Sequence, residues 1–335
     1  MFTETLRNNL CSPMVLAFGL GFGARAAGSK LELPSSLHAS LSAYLLLAIG
    51  LRGGVELAHA PLRAVILPAL ATIALSVLTP LVAFAIARRR FTRADAAAIA
   101  AHYGSVSAVT FVAAQQFVQG IGRPAEGFLP ALVALMESPG IHIALALGAA
   151  RSLNEGALDD RSKSSPDRSS SHSIASAVRE VLVSPTIVLL GGGVLIGAIA
   201  GEHGYTAVRP FFDAGFKGAL TVFLLDMGLS AGSKIPSIKE SGAFLTLFGI
   251  GMPLVFGSLG VLLGTLAGLS VGGAAVFGAM AGSASYIAAP AAVRMSLPEA
   301  NPAPGLAAAL LISFPFNLAI GIPLYAQLAR LLARA

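Results

Sequence analysis

Two four-residue stretches carry hydroxyls where an otherwise apolar chain would carry Leu or Val: Gly104-Ser105-Val106-Ser107 and Gly282-Ser283-Ala284-Ser285. They stand 178 positions apart (283 minus 105). Glycine frees the backbone from helical geometry, and a serine oxygen caps a helix that restarts. Each stretch therefore reads as a helix broken at hydrophobic depth. Each restart exposes N–H groups and the positive end of a helix dipole, and two such ends facing one another make an anion site without a buried Arg or Lys. On this reading Gly104, Ser105, Ser107, Gly282, Ser283 and Ser285 hold a small anion. The plainer alternative is that small residues only let membrane helices approach closely. Interrupted segments at matching positions of two halves favour the binding reading.

Two carboxylates share these surroundings. Glu137 is the sole charge between Glu126 and Arg151, and Asp226 the sole one between Lys217 and Lys234. Ionisable groups at depth are costly and mark function, so either can hold a cation such as sodium, with Glu137 the leading metal ligand, or carry a proton. Thr110 and Asn317 offer further oxygens, although hydroxyls and amides also serve as plain interhelical hydrogen bonds. A serine enzyme would need a positioned base and oxyanion donor. His102 precedes Ser105 by three residues, but Met280 stands at the corresponding place before the second pair, which argues against catalysis. A passive anion channel is a third class. Arg294 lies some ten residues past Ser285, about 15 Å along a helix, and is expected to snorkel to the interface.

The elements that must position these groups are membrane helices. Of the 335 residues, 55% are hydrophobic and 11% charged, the latter against roughly 25% in a soluble domain, and the mean hydropathy is +0.79. Strand-period alternation is absent, so a barrel is excluded. Runs between Gly, Pro and charge punctuation predict ten helices, at 10–27, 35–51, 62–87, 94–118, 127–150, 181–201, 211–231, 242–267, 271–294 and 304–329. Residues 151–180, rich in serine with both signs of charge, read as a solvated linker. It separates a first five-helix repeat (1–150) from a second (181–335). Ser12-Pro13 recurs as Ser184-Pro185, GLRGG at 50–54 as GLSAG at 228–232, the serine pairs recur as above, and Pro139 is matched by Pro315. Five helices per half is an odd number, so the second repeat is inverted. Fourteen of the 22 Lys and Arg fall on the linker side, which puts the linker in the cytoplasm and both termini outside a bacterial inner (plasma) membrane. The N-terminal segment imitates a cleaved secretory signal, but its internal twin argues that it stays. Cys11 is the sole cysteine, so there is no internal disulfide. The six histidines lack ligand spacing, and no cofactor or nucleic-acid motif is present.

Taken together, LLLAIGLRGG, AHYGSVSAVTFVAA, LMESPGI, FLLDMGLSAG, GSASYIAAPAAVRM and PFNLAIGIPLY resemble the sodium-dependent bicarbonate permeases first known from cyanobacteria, along most of the chain outside the linker. The resemblance implies an all-α fold of ten transmembrane helices as a 5+5 inverted repeat, with a core domain holding two broken helices and a gate domain. It implies a homotrimer that imports bicarbonate with sodium, the substrate lying between Gly104–Ser107 and Gly282–Ser285, and a small PII-like regulatory partner. Where that family carries an acidic residue after the second serine cluster, this chain has Tyr286. A permease for another small anion, or one coupled to protons, is the nearest alternative.

Overall fold

The computed structural model describes residues 7, 9–149, 183, 185–233 and 235–333. The linker at 151–180 and Ser184 of the first repeat match lie outside the described residues. In chain order the helices are α1 (Pro13–Ala26), α2 (Ser35–His59), α3 (Leu62–Ala87), α4 (Arg93–Tyr103), α5 (Ala108–Gly120), α6 (Leu129–Met136), α7 (Pro139–Ala149), α8 (Pro185–Arg209), α9 (Phe216–Ser233), α10 (Ile235–Leu266), α11 (Val271–Ala281), α12 (Ala288–Ser296) and α13 (Ala303–Leu332). No strand occurs among the described residues. Among the described residues, seven stretches are long and apolar enough to cross a membrane, with α4–α5 and α6–α7 each counted as one. The chain is a multi-pass membrane protein. Helices α1 and α11 are shorter apolar helices, and α9 carries Lys217 and Asp226.

The breaks fall where the residues demand them. Residues 104–107 and 282–287 are non-helical, dividing α4 from α5 and α11 from α12. The expected ends at 201 and 242 coincide with Gly201 (φ 61°) and Gly242 (φ 70°), left-handed positions at which α8 and α10 kink. The span expected at 127–150 is interrupted between Met136 and Pro139. Pro139 has no N–H with which to continue the helix. Its counterpart Pro315 is accommodated differently, between π-helical turns at Ala308–Ser313 and Asn317–Gly321. Pro253 inside α10 deprives the Gly249 carbonyl of its helical donor, and the Ser313 hydroxyl supplies one at 2.6 Å. Because Ser313 has spent its proton there, it accepts from Tyr103, 2.7 Å away.

Packing divides the helices into two groups. In one, α2 lies along α8 and α1 along α9. Both seams are backbone against backbone: Gly54 faces the Val194 carbonyl, Gly197 the Leu51 carbonyl, Gly21 the Leu225 carbonyl and Gly228 the Phe18 carbonyl. In the other group α4 packs on α3 and α7, and α11 on α10 and α13. The half before each break also lies against the half after the other, α11 on α5 and α4 on α12. This crossing is the most buried part of the molecule, with Ala96–Ala101 wholly enclosed, whereas Leu62, Leu70, Leu195 and Ile199 face outward. The outer ends of the broken helices are pinned as well. Asp95 on α4 accepts from the Asn301 amide at 2.7 Å, and Glu126 accepts from the Ser270 amide at the start of α11 at 2.6 Å.

The glycine seam makes a direct prediction. A methyl at Gly54 would fall on the Val194 carbonyl, so Gly54→Ala must separate α2 from α8 at about 1–3 kcal/mol. Gly192, four residues before Ile196 on the same helix α8, has open space around its would-be Cβ, and Gly192→Ala is expected to be neutral or slightly stabilising. Thermal unfolding of the two purified variants in one detergent checks this: equal midpoints would refute the seam.

Candidate functional site

The serines at the breaks play three different parts. Ser107 caps α5, its Oγ accepting from the Thr110 amide at 3.2 Å. Ser285 does the same at the foot of α12, accepting from the Ala288 amide at 3.2 Å. Ser283 bridges the two breaks: its Oγ donates to the Met280 carbonyl at 2.7 Å and accepts from the Ser107 amide at 2.8 Å. The Ser105 Oγ is buried without a partner. The remaining stitch is His102, which is wholly buried. Its carbonyl accepts from the Ser285 amide at 2.7 Å, and its Nδ1 lies 2.6 Å from the Ser285 carbonyl. A carbonyl only accepts, so Nδ1 carries the proton. The histidine considered above as a base is a fastener between the two breaks.

The two glycines differ from expectation. Gly104 has φ −78° and Gly282 φ −85°, conformations open to any residue. They are glycines because of what lies against them. Gly104 meets the backbone of Gly140 at the start of α7, and Gly282 meets Tyr325 and the α10 backbone at Pro253 and Gly257. Asn317 braces the second break, donating from Nδ2 to the Gly282 carbonyl at 2.7 Å. Its Oδ1 lies 3.0 Å from the Tyr325 hydroxyl, whose one proton is shared with the Pro253 carbonyl at 2.8 Å.

Beside the breaks lies a cleft of about 490 Å³, its open mouth included. Its polar lining is Ser42 of α2, Ser107, Glu137, Thr186 of α8, Ser285 and Tyr286. The opposite wall is apolar, formed by Leu45, Leu46 and Ile49 of α2 with Leu220 and Phe223 of α9. The cleft thus runs between the two packing groups. The first turn of α5 reaches it through Ala108 and Val109, and Ile287, the residue just before α12, reaches it on the other side. Amides at such N-termini have no helical carbonyl to bond and carry partial positive charge. Three lining atoms are buried with no hydrogen-bond partner: Glu137 Oε2, Tyr286 OH and Ser42 Oγ. Glu137 stands in the α6–α7 interruption at 4% exposure. The Tyr286 hydroxyl lies near Ser107 but outside hydrogen-bonding geometry, and its ring meets Phe314 edge-on at 5.4 Å.

Of the residues singled out in the sequence, the structure brings Ser107, Ser285 and Glu137 together around the cleft. Gly104, Ser105, Gly282 and Ser283 belong to the breaks behind it. Thr110 is buried within the first turn of α5, and Asn317 is engaged at both ends of its amide. Asp226 lies away from the lining: its Oδ2 is 2.7 Å from His38 Nδ1, a pairing between α9 and α2. Arg294 is exposed and donates to the Pro290 carbonyl at 3.2 Å, away from the cleft lining. Ser42 and Thr186 carried no sequence signal, because a single hydroxyl in an apolar helix is commonplace. No group of three or more His, Cys, Asp or Glu able to hold a metal occurs among the described residues. Residues 13–330 match the family described as the Na+-dependent bicarbonate transporter superfamily. No curated protein matches the chain.

The stitching predicts an asymmetry between two neighbouring serines. Ser283→Ala leaves the Ser107 amide buried without an acceptor and is expected to destabilise the protein by about 1–3 kcal/mol. Ser105→Ala removes a hydroxyl that bonds nothing and is expected to be neutral in stability. Melting curves of the two variants that coincide would show that the bridge carries no stability.

Proposed function

The chain belongs to the Na+-dependent bicarbonate transporter superfamily, and on that premise we propose that it imports bicarbonate together with sodium through the cleft between its broken helices. As a member of a transporter family it is not an enzyme. The observation that carries the proposal is the pairing of opposite chemistries in one cleft: two helix N-termini with the Ser107 and Ser285 caps, beside the unpartnered Glu137 carboxyl. The N-termini, Ser107, Ser285 and Tyr286 take the anion. Glu137 takes the sodium ion. Bicarbonate and sodium then cross as a neutral pair, whereas a lone charge at depth is penalised by several kcal/mol.

The finer architecture follows the same reading: ten spans as a 5+5 inverted repeat, 1–150 and 181–335, joined by the linker 151–180. The reciprocal packing supports it, since α1 on α9 and α2 on α8 exchange under a two-fold relation of the halves, as do α11 on α5 and α4 on α12. Helices α1, α2, α8 and α9 form the gate and the rest the core. Movement of one against the other opens the cleft to each side in turn, with the linker in the cytoplasm and the termini outside a bacterial plasma membrane. The homotrimer and the PII-like regulator rest on the family resemblance alone.

Uptake of labelled bicarbonate into proteoliposomes, with and without an inward sodium gradient, tests the proposal. Equal uptake in both conditions would remove sodium coupling, and competition by a panel of small anions would reassign the cargo. Glu137→Gln keeps shape but not charge, and is expected to abolish the sodium stimulation in a folded protein. Asp226→Asn is expected to retain it. The reverse pattern would move the cation to Asp226. Ser107→Ala and Ser285→Ala each lose a hydrogen bond to a charged ligand and are expected to lower uptake efficiency roughly 10- to 100-fold. Normal transport by both would return the serines to packing roles.

A further inference from the structure

A second cavity, of about 1120 Å³ with its open mouth, lies end to end with the cleft. Three helices pass from one space to the other in the same order. Along α2, Ser42 and Leu45 line the cleft, Ile49 lines both spaces, and Arg52 lines the cavity. Along α5, Val109 and Val112 line the cleft and Gln116 and Gln119 the cavity. Along α9, Phe223 and Leu220 line the cleft and Lys217 the cavity. The distance from Ser42 to Arg52 is about 15 Å along a helix, so the two spaces adjoin, with Ile49 at the division.

The cavity lining carries a positive surplus, Arg52 and Lys217 against the single carboxylate Asp213. Arg52 and Lys217 are exposed, and among the described residues neither has an ion-pair partner. The carboxylate that lines the cavity, Asp213, is already engaged: Tyr205 donates to it at 2.6 Å and Arg209 lies 3.7 Å away. Glu56 stands one turn beyond Arg52 on α2 and packs against Gly127 of the lining, without itself lining the cavity. The glutamines add amide donors without adding charge. A cleft whose lining carries a surplus of one sign between low-dielectric walls concentrates the opposite ion.

We infer that this cavity is an anion-collecting antechamber, in which Arg52 and Lys217 hold a small hydrated anion before it passes Ile49 to the serine caps. The identity of that anion as bicarbonate rests on the function proposed above; the electrostatics of the chamber do not. A test independent of transport uses Gln119→Cys in a Cys11→Ser background, which removes the sole, exposed native cysteine. The purified protein in detergent is treated with a negatively charged sulfonate and a positively charged trimethylammonium methanethiosulfonate, and each rate is normalised to a free small thiol. At about 10 mM salt, where the Debye length is about 30 Å, the anionic reagent is expected to be favoured about tenfold, the low end of electrostatic focusing. Arg52→Gln with Lys217→Gln is expected to bring the ratio to near unity, while the charge-conserving Arg52→Lys with Lys217→Arg keeps it. No preference in the parent, or an unchanged preference in the Gln double variant, overturns the inference. In proteoliposomes the Gln double variant is expected to raise the bicarbonate KM several-fold at low salt with kcat retained, and an unchanged KM would refute the collecting role. A wild-type protein that moves no bicarbonate yet keeps the reagent preference would refute the cargo and leave the antechamber standing.

Discussion

Every feature of the site depends on one constraint: a helix broken inside a membrane leaves amides and carbonyls that water cannot reach. The structure meets it by making each break the hydrogen-bond partner of the other. The Ser107 amide goes to Ser283, the Ser285 amide to the His102 carbonyl, and the His102 ring to the Ser285 carbonyl. Asn317 covers the Gly282 carbonyl. An unmade bond at any of these places would cost about 1–3 kcal/mol, so neither break is stable without the other. The crossing of α4–α5 with α11–α12 is therefore both the centre of the fold and the wall of the cleft.

The same constraint separates what the sequence revealed from what it did not. Breaks at 104–107 and 282–285 were legible because serine next to glycine is conspicuous in a run of Ala and Val, and Glu137 because it is alone. The reason for the glycines was not. Local reading assigns glycine to unusual dihedrals, but Gly104 and Gly282 have ordinary ones and are selected by Gly140, Tyr325 and the α10 backbone, partners remote in the chain. Distance in sequence also hid the engagement of Asp226 by His38, 188 positions away. For Asn317 the sequence leaves open a cation ligand or a plain interhelical hydrogen bond, and the partners that occupy both ends of its amide, Gly282 and Tyr325, are found through tertiary contact alone.

Helix lengths show a related division. The spans read from punctuation held where a glycine or proline sets the end, as at Gly201 and Gly242. They missed the α6–α7 interruption, although Pro139 was noted, because a proline kinks or breaks a helix according to whether its neighbours can supply the missing partner. At Pro315 the chain adjusts through π turns and stays helical. At Pro139 the helix stops, and the gap is where Glu137 reaches the cleft.

That gap gives the carboxyl its meaning on the proposed reading. A helix surface presents a side chain at fixed intervals, with its backbone satisfied and unavailable. An interruption places a carboxyl beside unwound backbone and beside the ends of other helices. Glu137 has one oxygen unpartnered in a wall that otherwise offers hydroxyls and N-termini. An isolated anion there would be destabilised by several kcal/mol, and the groups best able to relieve it are a cation or a proton entering the same cleft. The positive helix ends opposite have the complementary deficit, relieved by an anion. On the proposed reading each ion lowers the cost of the other, and their coupling would follow from electrostatics in a small apolar space without a distant relay. The apolar wall of Leu45, Leu46, Ile49, Leu220 and Phe223 offers a charge nothing, so on the same reading the ions would sit against the hydroxyls and Glu137 and not against that wall.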